Sequence, residues 1–149
     1  MINRIFNSFF IGFILYLLLD FLFFIGIKNS YLDTYGIKEY YNVLFVDHQN
    51  YIFMFFASLV FGYLIATKKY AKVFTYFYIL MIFLSLLTLY PPIGEKISKM
   101  IFEKKSISFR IGKIKFKGDI LYKGRKCTYI YRKDINKVIK LKNSDFVTF

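Results

Sequence analysis

Residues 51–90 read YIFMFFASLVFGYLIATKKYAKVFTYFYILMIFLSLLTLY. Two apolar runs, 51–66 and 73–90, are joined by the short basic turn Thr67-Lys68-Lys69-Tyr70-Ala71-Lys72. At 1.5 Å per residue they reach roughly 24 and 27 Å, against a hydrocarbon core of about 30 Å. The stretch therefore predicts an antiparallel transmembrane hairpin. The first run is short, so it is expected to begin earlier or to lie in a locally thinned bilayer. Pro91-Pro92 is expected to stop the second, because proline cannot continue a helix.

A third apolar run, residues 5–27, precedes the hairpin behind a single positive charge, Arg4. It is too long for the apolar core of a secretory signal, and no small-x-small cleavage site follows it. It is expected to be a retained span. The connection that follows, residues 28–50, is rich in Tyr; Gly26 and Gly36 read as breaks, and 37–46 as a short interfacial helix. Aromatic rings favour the headgroup level, where one end is dry and the other wet.

Beyond the hairpin the chain changes character. Residues 1–94 hold six Lys or Arg against four Asp or Glu, a net of +2, whereas 95–149 hold sixteen against five, a net of +11. Residues 95–105 form an amphipathic juxtamembrane segment, with Ile97, Met100 and Ile101 on one face at helical spacing. Its lysines are placed to sit among anionic headgroups. From Ser106 the period becomes two: Ile107, Phe109 and Ile111 alternate with polar residues, and so do Ile114 and Phe116 after a phase slip at Gly112-Lys113. Such a slip fits a bulge or tight bend. Further strands are expected over 119–122, 126–132 and 137–142, broken at Lys117-Gly118, Lys123-Gly124 and Arg132-Lys133-Asp134.

The fold class expected is thus membrane α-helical, with three transmembrane helices in a domain 1–94, plus a small C-terminal all-β basic domain, 106–149, barrel-like or a curled sheet. So small a β-domain has a marginal core and needs docking or oligomerisation.

One ionisable residue interrupts the spans. A carboxyl deep in a bilayer costs roughly 2.5–3.5 kcal/mol on insertion scales, so Asp20 is expected to face protein or water. Tyr16, Gly12 and Ser8 precede it at spacings of four, on one helix face. Ser58, Gly62 and Ala66 repeat that spacing in the second run. Small residues so spaced let helices approach closely. The two stripes are expected to pack together, with Asp20 bonded to Tyr16, Ser58 or a neighbouring chain. A proton or cation site is the functional reading of Asp20; a hydrogen-bonded packing residue is the plainer one.

The basic tail carries the second signal. Lys96, Lys99, Lys104, Lys105, Arg110, Lys113, Lys115, Lys117, Arg125, Lys126, Arg132 and Lys133 are expected to contact anionic lipid headgroups or a protein partner. Each lysine near an anionic leaflet adds about 1 kcal/mol. Tyr129 and Tyr131 would also permit nucleic-acid stacking, but tethering at a membrane places lipid ahead of nucleic acid. Counting positive charges close to the spans gives seven on the tail side against four on the other, which favours a cytoplasmic tail in a plasma or inner membrane.

The lone His48 and the lone Cys127 leave no Cys/His cluster for structural zinc. No phosphate loop, paired catalytic carboxylates, nucleophile elbow or zinc-protease helix is present. No catalytic residue, metal or cofactor is therefore expected. The function expected is that of a small non-enzymatic accessory or scaffold subunit. A homo-oligomeric channel-like protein and an intramembrane enzyme are the alternatives. Three spans followed by a small β-domain resemble the core of the small-conductance mechanosensitive channel family, and Gly118-Asp119 and Val138-Ile-Lys-Leu-Lys-Asn143-Ser144 resemble its β-domain signature. That resemblance implies an oligomeric pore. Lys142 stands where the family has proline, and the third run lacks the glycine/alanine ridges of its pore helix.

Overall fold

The computed structural model describes residues 2–111 and 114–148, so Gly112 and Lys113, and the predicted slip between them, lie outside the described residues. Helix α1 (Ile2–Ile27) continues directly into a π-helical turn, Lys28–Leu32. Gly26 does not break it. A Cβ there would come within 1.8 Å of Thr88 Oγ1, so this glycine admits a neighbouring chain segment. Gly36, at φ +67°, does turn the chain, a conformation glycine adopts at little steric cost.

Helices α2 (Tyr41–His48) and α3 (Tyr51–Ala66) meet at 86°. Asn50 caps α3, its side-chain oxygen accepting from the Phe53 N–H at 3.0 Å. Helix α4 (Lys68–Leu87) begins after the single residue Thr67, so the expected six-residue turn is absent. Lys68, Lys69 and Lys72 instead form the start of α4. Lysine is a good helix former and needs no loop. Positive charge at a helix N-terminus opposes the helix dipole, but long lysine stems can carry that charge away from the axis.

The proline pair also acts otherwise than expected. Helix α4 ends at Leu87, before Tyr90, and Pro91-Pro92 open α5 (Pro91–Phe102). Proline fits the first turn of a helix, where its missing N–H has no intrahelical partner to lose. Helix α5 buries Gly94, Ser98 and Phe102, while Met100 and Ile101 face outward. The apolar face read from the sequence is therefore not the one packed on protein. Gly94 decides this, because a Cβ there would meet Thr88 O at 2.0 Å and Ser30 Oγ at 2.1 Å.

Helix α1 is the axis. Helix α3 runs antiparallel to it, with Gly62 beside Ser8 and Ser58 beside Gly12, and α4 runs alongside in the same sense. Tyr78 on α4 donates to Leu15 O at 2.9 Å. Asn3–Leu32 and Lys68–Leu87 are each long and apolar enough to cross a membrane, whereas α3 reaches that length only when counted with α2 across their 86° bend.

The C-terminal part is an antiparallel sheet of β1 (Lys104–Ile111), β2 (Ile114–Lys123), β3 (Cys127–Arg132), β4 (Lys137–Lys142) and the short β5 (Val147–Thr148). Its order is β4-β3-β2-β1-β5, so the sheet is open and no barrel closes. Strand β2 runs through the expected break at Lys117-Gly118. A Cβ at Gly118 would lie 2.6 Å from Ile130 Cγ2, so the glycine lets a β3 side chain cross the strand. Between Ile120 and Tyr122 the β2–β3 register slips by one residue, Leu121. Leu121 and Tyr122 thereby both reach the core that the sheet shares with Phe24, Ile27, Tyr31, Ile37 and Leu44. A second, smaller core of Phe109, Ile120 and Ile130 lies under Phe116 and Phe146.

Asp119 ties the sheet's start to its β3–β4 turn. It accepts from the Ser106 N–H at 2.7 Å and pairs with Lys133 at 2.9 Å. Burial would raise its pKa, but the Ser106 N–H and the Lys133 ammonium outweigh burial and hold it below the ordinary carboxylate value. A depressed folded pKa gives stability that is present above the unfolded value and lost as pH falls through the folded one. Melting of the purified protein followed on acidification below about pH 4 should show this loss. The acid-dependent part of the fall should shrink in Asp119→Asn; an unchanged profile would exclude Asp119 as its source.

Candidate functional site

Two places gather the residues singled out by sequence, one in the helix bundle and one at the sheet. In the bundle, α1 and α3 meet backbone to backbone. A Cβ at Gly12 would lie 2.0 Å from Ser58 O and 2.4 Å from Gly62 N, and a Cβ at Gly62 would lie 2.0 Å from Ser8 O. Ser58 is fully buried, its hydroxyl donating back to Met54 O at 2.6 Å. Ala66 is exposed at the end of α3 and takes no part in this seam. The spacing of four carries the stripe only over the part of α3 that faces α1.

Asp20 is not bonded to Ser58. The 86° bend between α2 and α3 brings Gln49 to the same place, where its Nε2 donates to Tyr16 Oη at 3.2 Å and its side chain faces the Asp20 carboxyl. Two acceptors there are buried without a hydrogen-bond partner: Asp20 Oδ2 and Gln49 Oε1. Asp20 borders a cavity of about 430 Å³ between α1, α3 and α4, walled by Tyr16, Phe53, Phe61, Phe77 and Met81. Sequence reasoning named Tyr16 and Asp20 but missed Gln49. It lies beyond the apolar runs, and only the bend at its position points it inward.

At the sheet, the acids of the 28–50 connection meet the bases of the tail. Arg125 Nε lies 2.8 Å from Asp47 Oδ1, the Arg125 N–H donates to Asp47 Oδ2 at 3.0 Å, and its guanidinium donates to Val46 O at 2.8 Å. Lys140 and the Tyr129 hydroxyl both donate to Glu39 Oε1, at 3.1 and 2.7 Å. First the Tyr129 hydroxyl and then Glu39 hold the Lys140 ammonium well above its ordinary pKa. Tyr31 donates to Leu121 O at 3.1 Å, joining the π-helical turn that follows α1 directly to β2. His48 is half-buried between the rings of Phe102 and Tyr122. A groove of about 450 Å³ runs beside this clamp, between Val43 and Val46 on α2 and Arg125, Lys126, Cys127 and Lys140 on the sheet.

The twelve basic residues named above therefore divide. Lys99 pairs with Glu95 at 2.6 Å, and this ammonium first of all lowers the pKa of Glu95. Arg125, Arg132 and Lys133 pair with Asp47, Asp134 and Asp119, and Arg132 also covers the ring of Phe116. Arg110 and Lys115 have interactions of their own. Lys96, Lys104, Lys105, Lys117 and Lys126 are exposed, and Lys113 lies outside the described residues. Among the described residues no group of three or more His, Cys, Asp or Glu could hold a metal ion.

Gly118 and Asn143, two residues that carried the channel resemblance, have local work in the sheet. Asn143 donates to Gly124 O and Arg125 O and accepts from the Thr128 hydroxyl, bracing the β2–β3 turn. No protein-family model, curated protein or solved structure matches the chain.

Overpacking a tight interface costs about 1–3 kcal/mol. Gly62→Leu should therefore lower the melting temperature clearly, and Ala66→Leu should leave it unchanged. Equal effects of the two would refute the seam. Arg125 is exposed and regains water when its partner Asp47 is removed, so losing this contact costs on the order of 1 kcal/mol. Asp47→Ala should accordingly speed amide exchange in β3 and β4, whereas Lys126→Ala should not.

Proposed function

We propose that the protein is a non-enzymatic membrane scaffold, anchored by α1, α3 and α4 and presenting a cationic headpiece to anionic headgroups at one face of the bilayer. One observation carries this reading. The outward faces of the three helices expose Phe6, Phe10, Ile14, Phe56, Val60, Phe83 and many like them, and the chain's positive charge is gathered at one end of that apolar belt. A contiguous apolar surface of this extent is not stable in water and calls for lipid or protein around it.

The groove beside α2 gives the headgroup reading its geometry. Helix α2 stands at 86° to α3, so when α3 spans the bilayer α2 lies along its surface. Exposed Val43 and Val46 then adjoin Lys126, with Arg125 and Lys140 behind it. Asp47 and Glu39 line the same groove and hold Arg125 and Lys140, which leaves Lys126 as the base for the phosphate of an acidic phospholipid, with the lipid's chains against the valines. The charge count, which favours a cytoplasmic tail, agrees with the anionic character of that leaflet.

The test is the melting temperature of the full chain in a neutral detergent with added lipid. Phosphatidylglycerol should raise it more than phosphatidylcholine, and salt should erase the difference, because screening weakens exposed charge pairs. A combined Lys96→Gln, Lys104→Gln, Lys105→Gln and Lys126→Gln variant should lose most of the effect. Equal stabilisation by both lipids would overturn the headgroup assignment while leaving the anchor untouched.

A further inference from the structure

The cavity beside Asp20 is the least expected feature of the bundle. Asp33, Glu39, Asp47, Glu95, Asp119 and Asp134 each pair with a cation, and all six lie outside the packed stretch of the three helices. Asp20 pairs with none of the described cations. Asp20, which lines the cavity, and Gln49, which lies beside Asp20 but not in the cavity wall, each have a buried unpartnered acceptor, Oδ2 and Oε1. What they lack is a donor.

Apart from the Tyr16 and Ser85 hydroxyls, the rest of the wall is apolar and rich in π-faces. Phe53, Phe61, Phe77 and Tyr16 line the space with Met81. Cations are attracted to ring faces, and aromatic walls of this kind recognise ammonium groups. A volume of about 430 Å³ falls within the range of small-molecule pockets, roughly 300–1,000 Å³, in which mostly apolar walls carry a few convergent polar groups. A whole helix, about 10–12 Å across, does not fit such a space. Phe53 and Phe77 are also exposed on the outer surface of the bundle, so the cavity is bordered by the helices' apolar surroundings. A ligand reaching it from there must be largely apolar itself.

We propose that this cavity binds an organic ammonium, its charged head on the Asp20 carboxylate beside Gln49 and its apolar body among the aromatic rings. The site is independent of the headgroup groove at the sheet. It rests only on the packing of α1, α3 and α4.

The absence of tryptophan allows a direct measurement. Full-length protein in nanodiscs of neutral lipid is titrated with 2-naphthylmethylammonium, and binding is followed by naphthalene anisotropy. The neutral 2-naphthylmethanol and the anionic 2-naphthoate serve as comparisons, and empty nanodiscs correct for partitioning. The ammonium should bind saturably and at least about tenfold tighter than the alcohol, as expected for a charge-assisted contact. Naphthoate should not bind. Asp20→Asn should bring the ammonium down to the level of the alcohol, and Ser85→Phe, which fills the cavity, should abolish both. Equal binding of ammonium and alcohol to the unaltered protein overturns the proposal, whether or not Asp20→Asn folds. So does ammonium binding that survives Asp20→Asn, and so does recovery of Asp20 paired with a basic residue of a co-purifying membrane protein.

Discussion

Everything in this fold depends on how closely other backbones can approach α1. At its lower half Gly12 and Ser8 admit α3 through Gly62 and Ser58; at its upper end Gly26 admits Thr88, which in turn sits against Gly94. Cβ atoms at any of these glycines would fall about 2 Å from backbone or side-chain atoms of the neighbour. Such contacts trade side-chain volume for main-chain proximity, the means by which helices pack where lipid supplies no hydrophobic drive between them. Helix α4 meets α1 largely through longer side chains, Phe74 and Tyr78 with Met81 and Ile82 packed beside them. The cavity beside Asp20 lies between α1, α3 and α4.

The same economy governs the headpiece. A sheet of this size has little core of its own, and it gains one by sharing the end of α1: Ile27, Tyr31 and Leu32 are fully buried against α2, α5 and β2. The ion pairs of Asp47 and Glu39 with Arg125 and Lys140 then fix the register of the sheet on the connection. Each pair has one nearly buried acid and one exposed base, so its geometry is held by the acid. The basic tail is thus partly spent on holding the molecule together, and the bases left exposed are those that face outward.

Much of the architecture was legible in the residues. Three apolar runs, the period-two tail, the seam at Gly12, Ser58 and Gly62, and the uneven charge all follow from local composition and spacing. What was not legible depends on tertiary contact. Gly26, Gly118 and Pro91-Pro92 look like stops in sequence, yet two admit a neighbour and the third opens a helix. The basic residues looked like one solvated face, because the acids that pair with Arg125 and Lys140 lie about eighty to a hundred positions earlier. Gln49 carried no signal at all. Its importance comes from a bend that no periodicity marks.

In the membrane reading proposed above, the bundle crosses a bilayer three times, with the 28–50 connection and the sheet locked together on one side. Single cysteines at Lys38, Lys69 and Lys126 in a Cys127→Ser background, probed with a membrane-impermeant thiol reagent, test it most directly. Positions 38 and 126 should label from the same side of sealed vesicles and position 69 from the other. Labelling of 69 and 126 from one side, or of 38 and 126 from opposite sides, would contradict it.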